Sequence, residues 1–198
     1  MYIKAIAHFE KHDPVLFAII VHIEPFSLTK SNKLFRELCD HIISQQLSIK
    51  ASASIFERFS NLFPKKHIDP ALLLTLPNDT IRAAGLSYTK IRYLKDLAQK
   101  VIEKTVQLDR LEALSDEEVI ETLIKVKGIG RWTAEMFLMS ALAREDVFSY
   151  GDLGIRKAMQ KLYGLKKEPT QMQAEKLAKK WSPYRTYACK ILWRSLAM

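Results

Sequence analysis

An all-α fold is predicted by three features of the 198-residue sequence. Apolar residues recur at three- and four-residue intervals through nearly every segment, and two-residue alternation of the strand type is hard to find. Gly and Pro are scarce, at six and seven residues, against the roughly 12% they average together. Long regular elements with little loop follow. The apolar share of 48% supplies a sizeable core, and the length suits one globular unit or two tightly joined lobes.

Taken in order, the periodicity places helices over Tyr2–Lys11, Pro14–Ile23, Lys33–Gln46, Ser48–Phe63, Asp79–Ala84 and Tyr88–Lys104. It continues with Asp116–Val126, Arg131–Ala143, Leu153–Tyr163, Gln171–Lys179 and Pro183–Leu196. Asp13 before Pro14 reads as an N-cap followed by a residue whose φ is already helical, and Ser182 before Pro183 reads the same way. Ser115 with Glu118 forms a capping box in which each satisfies the other's backbone N–H. No linker, low-complexity tract or internal repeat interrupts the pattern.

The 31 Lys and Arg against 22 Asp and Glu leave a net charge of +9, which favours an anionic polymer as partner without proving one. The longest apolar run, Val15 to Ile23, contains His22 and falls far short of the roughly 20 residues a bilayer needs. The first residues lack the apolar core of a signal peptide, so an intracellular, cytoplasmic protein is expected, nucleoid-associated in a bacterium. Two Cys, Cys39 and Cys189, exclude a disulfide framework, an iron–sulfur cluster and a four-cysteine zinc site. Five His show no paired-ligand spacing, and no chelated catalytic metal is expected.

The most informative stretch is Leu123-Ile-Lys-Val-Lys-Gly-Ile-Gly-Arg-Trp-Thr-Ala134, where one amphipathic helix stops at Gly128-Ile-Gly130 and another begins at once: a helix–hairpin–helix. Such a turn lets backbone approach a ligand and aims the unpaired N–H groups of the new helix at an anion. Lys125, Lys127 and Arg131 add a positive field suited to a DNA phosphate, held without reading sequence. A tight αα turn with no ligand is the plain alternative. A dinucleotide fingerprint fails, because no strand precedes and Thr133 stands where a third Gly is required. Asp152, in Tyr150-Gly-Asp-Leu-Gly154, is the natural N-cap of the next helix. The same position holds a carboxylate ionised and fixed in direction, as a base or electrostatic stabiliser requires.

These segments, with Ile42-Ile-Ser-Gln-Gln-Leu-Ser-Ile-Lys-Ala-Ser52, Gly85-Leu-Ser-Tyr-Thr-Lys-Ile-Arg-Tyr-Leu94 and Trp181-Ser-Pro-Tyr-Arg-Thr-Tyr-Ala188, resemble the helix–hairpin–helix (HhH-GPD) DNA glycosylases in the same order from about Asp13 to Trp193. The resemblance is nearest to the DNA-3-methyladenine glycosylase II group, without the N-terminal β-rich domain of its longer bacterial members. It implies a two-lobed all-α fold with the active-site cleft between lobes, the hairpin lobe spanning 31–144 and the other joining 1–30 to 145–198. It further implies that Asp152 is the catalytic carboxylate and that Gly128, Gly130 and Thr133 form the backbone phosphate anchor. Main-chain carbonyls of Ile124, Val126 and Ile129 match a site for a structural Na+ or K+. Gln46 and Leu47 match the wedge that fills the hole left by an extruded nucleotide.

Trp132 stands where the lyase members of the family carry a Schiff-base lysine, so a monofunctional enzyme acting on double-stranded DNA with damaged bases is implied, as a monomer without a catalytic cofactor. Trp132 and Met136, on one helix face, and Trp193 match the lining of an aromatic pocket. Such a box suits a purine alkylated at N3 or N7, of the 3-methyladenine and 7-methylguanine class, because it carries positive charge. Met136 replaces an aromatic of the bacterial relative, and Lys127 replaces the Pro common before the first hairpin Gly. Phe137, Met139, Trp181, Tyr184 and Tyr187 read as core. A noncatalytic DNA-binding protein and a glycosylase for another lesion remain the alternatives.

Overall fold

The computed structural model describes residues 2–198. It contains twelve α-helices and no strand among the described residues: α1 Tyr2–His12, α2 Pro14–Ile20, α3 Leu34–Ser44, α4 Ile49–Ser60, α5 Pro70–Thr75, α6 Asn78–Ala83, α7 Tyr88–Ile102, α8 Asp116–Leu123, α9 Arg131–Ser140, α10 Leu153–Leu162, α11 Gln171–Ala178 and α12 Arg185–Ser195. The all-α expectation holds. Among the described residues no helix is long and apolar enough to cross a membrane.

Local chemistry accounts for most helix starts. Asp13 accepts the Leu16 N–H at 3.1 Å, Ser48 the Ala51 N–H at 3.3 Å and Ser87 the Lys90 N–H at 3.2 Å, each satisfying a donor the helix cannot pair internally. Reciprocal capping boxes open α8 at Ser115 and Glu118 and α11 at Thr170 and Gln173. Helix α5 went unread in the sequence although Asp69, whose carboxylate accepts the Leu72 N–H at 2.8 Å, and Pro70 repeat the Asp13–Pro14 signal. Its centre, Ala71-Leu-Leu-Leu74, is apolar at every position and so shows no three- or four-residue spacing.

The last helix starts later than its Ser182–Pro183 signal implies, at Arg185. Ser182 does not cap it. The Ser182 hydroxyl donates instead to Asp146 Oδ2 at 2.8 Å, and Asp146 Oδ1 accepts the Arg185 N–H at 3.2 Å. Partial burial pushes the Asp146 carboxyl up, but the hydrogen bonds from Arg185 and Ser182 outweigh it and hold the group below the usual carboxylate range. Helix α3 also ends earlier than expected, at Ser44, because Gln45 leaves helical geometry at ψ 129° and Gln46 then takes a positive φ of 58°, which no α-helix continues through.

The chain divides into two compact units: the described residues up to Lys30 with Leu138–Met198, and Ser31–Phe137. The division falls inside α9, between Phe137 and Leu138, where the family resemblance implies a boundary at 144. In the first unit the carboxylate of Asp13, 2% exposed, accepts Tyr163 Oη and Trp181 Nε1, each at 2.7 Å. Bonds to a buried charge contribute about 1.5–3 kcal/mol apiece, so this hub ties α2, the end of α10 and the turn before α12 together. In the second unit α7 packs against α3, α5 and α6, and Phe59 lies between Phe56 and Phe63. Trp181, Tyr187, Phe137 and Met139 are buried, as their core reading requires.

Candidate functional site

Asp152 is the N-cap of α10. Its Oδ1 accepts the Ile155 N–H at 2.8 Å and the Trp193 indole N–H at 2.8 Å. Two donors from different elements on one oxygen fix both the position and the plane of a half-buried carboxylate at the N-terminus of α10. Two residues unremarked in the sequence reading complete the mount. A Cβ on Gly154 would lie 3.0 Å from Asp152 Oδ1 and 3.2 Å from Trp193 Cδ1, so the meeting of acid and indole depends on a bare Cα. Arg156 Nη1 donates to the carbonyls of Tyr150 at 2.9 Å and Gly151 at 3.1 Å, while its Nε donates to Glu168 at 3.0 Å. The guanidinium clamps the turn that delivers Asp152. Only the Gly and Arg spacing around Asp152 hinted at either role.

The hairpin lies in the second unit. After α8 the chain turns through Val126, whose carbonyl accepts the Ile129 N–H at 3.1 Å, and the Gly130 carbonyl takes the first bond of α9 from Ala134 at 3.1 Å. The two glycines are required for different reasons. Gly128 has φ +83°, and a Cβ there would sit 2.1 Å from the Tyr93 ring, whereas a Cβ on Gly130 would meet nothing within 4 Å. Open space at Gly130 is where an anion can reach the N–H groups of the first turn of α9. Thr133 is buried, and its hydroxyl accepts from Gln45 Nε2 at 3.2 Å.

The basic rim is uneven. Lys125 is exposed. The Lys127 side chain is 75% exposed, with its ammonium 3.9 Å from Asp96. Arg131 is engaged by Glu117 and by Glu135, the latter at 3.6 Å; its expected phosphate role must compete with two carboxylates. The carbonyls of Ile124, Val126 and Ile129 lie on the turn after α8, at the negative end of that helix. Neutral hard oxygens in that field suit a monovalent cation, and the Val126 carbonyl keeps a second lone pair beside its hydrogen bond. Among the described residues no group of three His, Cys, Asp or Glu is placed to hold a metal ion.

The expected wedge is a surface turn. Gln46 and Leu47 are both exposed, and Ile49 beside them is 90% exposed, an apolar group the sequence reading passed over. Gln45, at the end of α3, is half-buried and its side chain donates to the Gly128 carbonyl at 2.8 Å. On α9, Trp132 is 40% exposed and Met136 lies one turn further on. Trp132 and Met136 belong to one unit, Asp152 and Trp193 to the other.

Residues 39–183 match the HhH-GPD superfamily of base excision DNA repair proteins. The protein named DNA-3-methyladenine glycosylase 1 of Schizosaccharomyces pombe is 36% identical over 186 residues, covering 91% of this chain and 80% of its own length. The solved S. pombe 3-methyladenine DNA glycosylase in complex with abasic DNA superposes with a TM-score of 0.88 at 34% identity, over 98% of this chain and 97% of that one. A DNA-3-methyladenine glycosidase from Bacillus halodurans gives 0.84 at 34% identity, over 96% of this chain and 88% of its own.

Proposed function

The chain belongs to the HhH-GPD superfamily of base excision DNA repair proteins, and from that membership we propose that it is a monofunctional DNA glycosylase releasing alkylated purines of the 3-methyladenine and 7-methylguanine class. The observation that carries this reading is the Asp152 carboxylate, fixed by the α10 N-terminus and the Trp193 indole. Relatives named as 3-methyladenine glycosylases, one of them solved with abasic DNA, support both the substrate class and DNA as partner.

The hairpin holds a duplex through a phosphate at Gly128, Gly130 and the Thr133 N–H, with Lys125 and Lys127 adding charge. Residues Ile124, Val126 and Ile129 would hold a monovalent cation, which supplies positive potential between turn and phosphate. Gln46 and Leu47 occupy the gap as the damaged nucleotide leaves the stack, an exchange that costs a few kcal/mol and least for a damaged base. Trp193, whose indole meets Asp152, offers the extruded purine an aromatic face, to which its positive charge is attracted.

The C1′–N bond then breaks with its electron pair going to the base, which leaves neutral because alkylation had made it cationic. Asp152 stabilises the oxocarbenium sugar and accepts a proton as water adds its oxygen to C1′. The products are free base and an abasic site. With Trp132 where a lyase would present an amine, the strand is left intact.

The deciding experiment is a panel of duplexes bearing 3-methyladenine, 7-methylguanine, hypoxanthine, ethenoadenine or 8-oxoguanine, scored for free base with wild type and Asp152→Asn. Release of the alkylpurines by wild type, lost by orders of magnitude in Asp152→Asn with duplex binding retained, is expected. No release on any duplex would leave a noncatalytic DNA-binding protein, and unchanged release by the variant would remove Asp152 from the mechanism. Borohydride should trap no covalent complex; an abundant adduct would restore a lyase.

A further inference from the structure

Three side chains at three-residue spacing along α7 touch successive points of the hairpin and wedge surface. The Lys90 ammonium donates to the carbonyls of Ile43 at 2.6 Å and Gln45 at 2.8 Å, gripping the chain where α3 gives way to the Gln46 turn. One turn on, the Tyr93 ring fills the space a side chain at Gly128 would need. One turn further, Asp96 Oδ2 accepts the Lys127 N–H at 2.8 Å. Six residues of helix separate the first and last of these by about 9 Å. Gln45 closes the circuit, since its side chain reaches the Gly128 carbonyl at 2.8 Å and the Thr133 hydroxyl at 3.2 Å.

Every member of this circuit lies within Ser31–Phe137. The turn it braces holds a non-glycine residue in the left-handed region, Gln46 at φ 58°, which costs about 1–2 kcal/mol and persists where neighbours over-determine it. Intercalation demands that the wedge sit at a set offset from the gripped phosphate; a rigid circuit spanning both supplies that offset. A brace serving only the hairpin's own stability would have no need of Lys90 on the wedge side or of an amide reaching across from α3.

We propose that Gln45, Lys90 and Asp96 form a strut that couples phosphate capture at the hairpin to insertion of the Gln46–Leu47 turn, so that their loss impairs nucleotide extrusion rather than DNA binding or bond cleavage. They are positioning residues, and the assignment rests on the glycosylase reading. The test compares wild type, Gln45→Leu, Lys90→Met, Asp96→Ala, Asp96→Asn and Asp152→Asn in single-turnover release of 7-methylguanine. One substrate pairs the lesion with cytosine; the other sets it opposite an abasic site, where no pair must break. Affinity for undamaged duplex and thermal midpoints are read alongside.

Misplacement of the wedge is expected to slow release from the paired lesion on the order of 10²-fold, with the unpaired lesion and duplex affinity within about threefold of wild type. Asp96→Asn keeps an oxygen for the Lys127 N–H and should restore the rate lost in Asp96→Ala. Equal losses on both substrates, or a wild-type rate for Gln45→Leu on the paired lesion, would overturn the strut. Gln45→Leu replaces a half-buried side chain by one of similar size, so the comparison survives if Lys90→Met fails to fold. Absence of release by wild type, or full release by Asp152→Asn, would instead sink the glycosylase reading.

Discussion

Gly154→Ala separates stability from chemistry at the mount of Asp152. The added methyl would lie 3.0 Å from Asp152 Oδ1, 3.2 Å from Trp193 Cδ1 and 3.4 Å from Trp193 Nε1, where carbon contacts are comfortable at about 3.5–4.0 Å. Relief takes a few tenths of an ångström at each neighbour, and the two neighbours cannot part without stretching their own 2.8 Å bond. A hydrogen bond to a charged group contributes about 1.5–3 kcal/mol, equivalent to about 10- to 150-fold in rate if the transition state loses it. Against this, Ala favours the helix over Gly by up to about 1 kcal/mol, which offsets the crowding in the folding balance. The expected variant melts within about 4 °C of wild type, binds duplex normally and releases base at least about tenfold more slowly under single-turnover conditions with enzyme in excess. A folded Gly154→Ala protein with the wild-type rate would refute the claim that the acid–indole contact is the reacting arrangement.

The hairpin glycines should part company. Gly128→Ala drives a Cβ into the Tyr93 ring at positive φ and should lower the melting temperature sharply, whereas Gly130→Ala should melt like wild type and lose duplex affinity, and a Gly130→Ala protein with intact affinity would place the phosphate elsewhere. Because Lys125 is exposed while Arg131 is held by Glu117 and Glu135, Lys125→Ala should reduce the slope of log K against log salt by about 1, Arg131→Ala by less; the reverse order would show that the carboxylates yield to DNA. The Asp146 carboxyl is held below its ordinary value of 3.8, so the unfolded chain binds the proton more readily and the stability this group lends is present above that value and lost as pH falls through the lower folded one. Asp146→Asn should therefore melt below wild type at neutral pH and converge with it in acid, and melting curves that stay equally far apart from pH 7 down to acid would refute the coupling.

The parts of this molecule legible in its sequence are those whose cause is local. Helical spacing and the Ser115–Glu118 and Asp13–Pro14 caps act within one or two turns, and the structure places them where the spacing did; α8, by contrast, stops at Leu123, short of the Gly128-Ile-Gly130 turn that leads into α9. Ser182–Pro183 carries the same local signal and fails, because the Ser182 hydroxyl finds Asp146, 36 residues away. Asp152 was legible as a cap; that its oxygen also receives the Trp193 indole was not, since nothing in either segment encodes the other. Gln45 shows the same limit from the opposite side. A polar residue at a helix end belongs in solvent unless a distant carbonyl lacks a donor, and the Gly128 carbonyl is that acceptor, 83 residues on. Charge has the same limit: Arg131 beside the hairpin reads as a phosphate ligand, and nothing local shows that Glu117 and Glu135 lie within its reach. A functional side chain in this fold is thus set by two causes of different range, a local rule that decides where its Cα lies and one or two remote partners that decide where its polar atoms point. Variants of the remote partner, Trp193 for Asp152 or Lys90 for the Gln46 turn, are therefore the sharper probes of function.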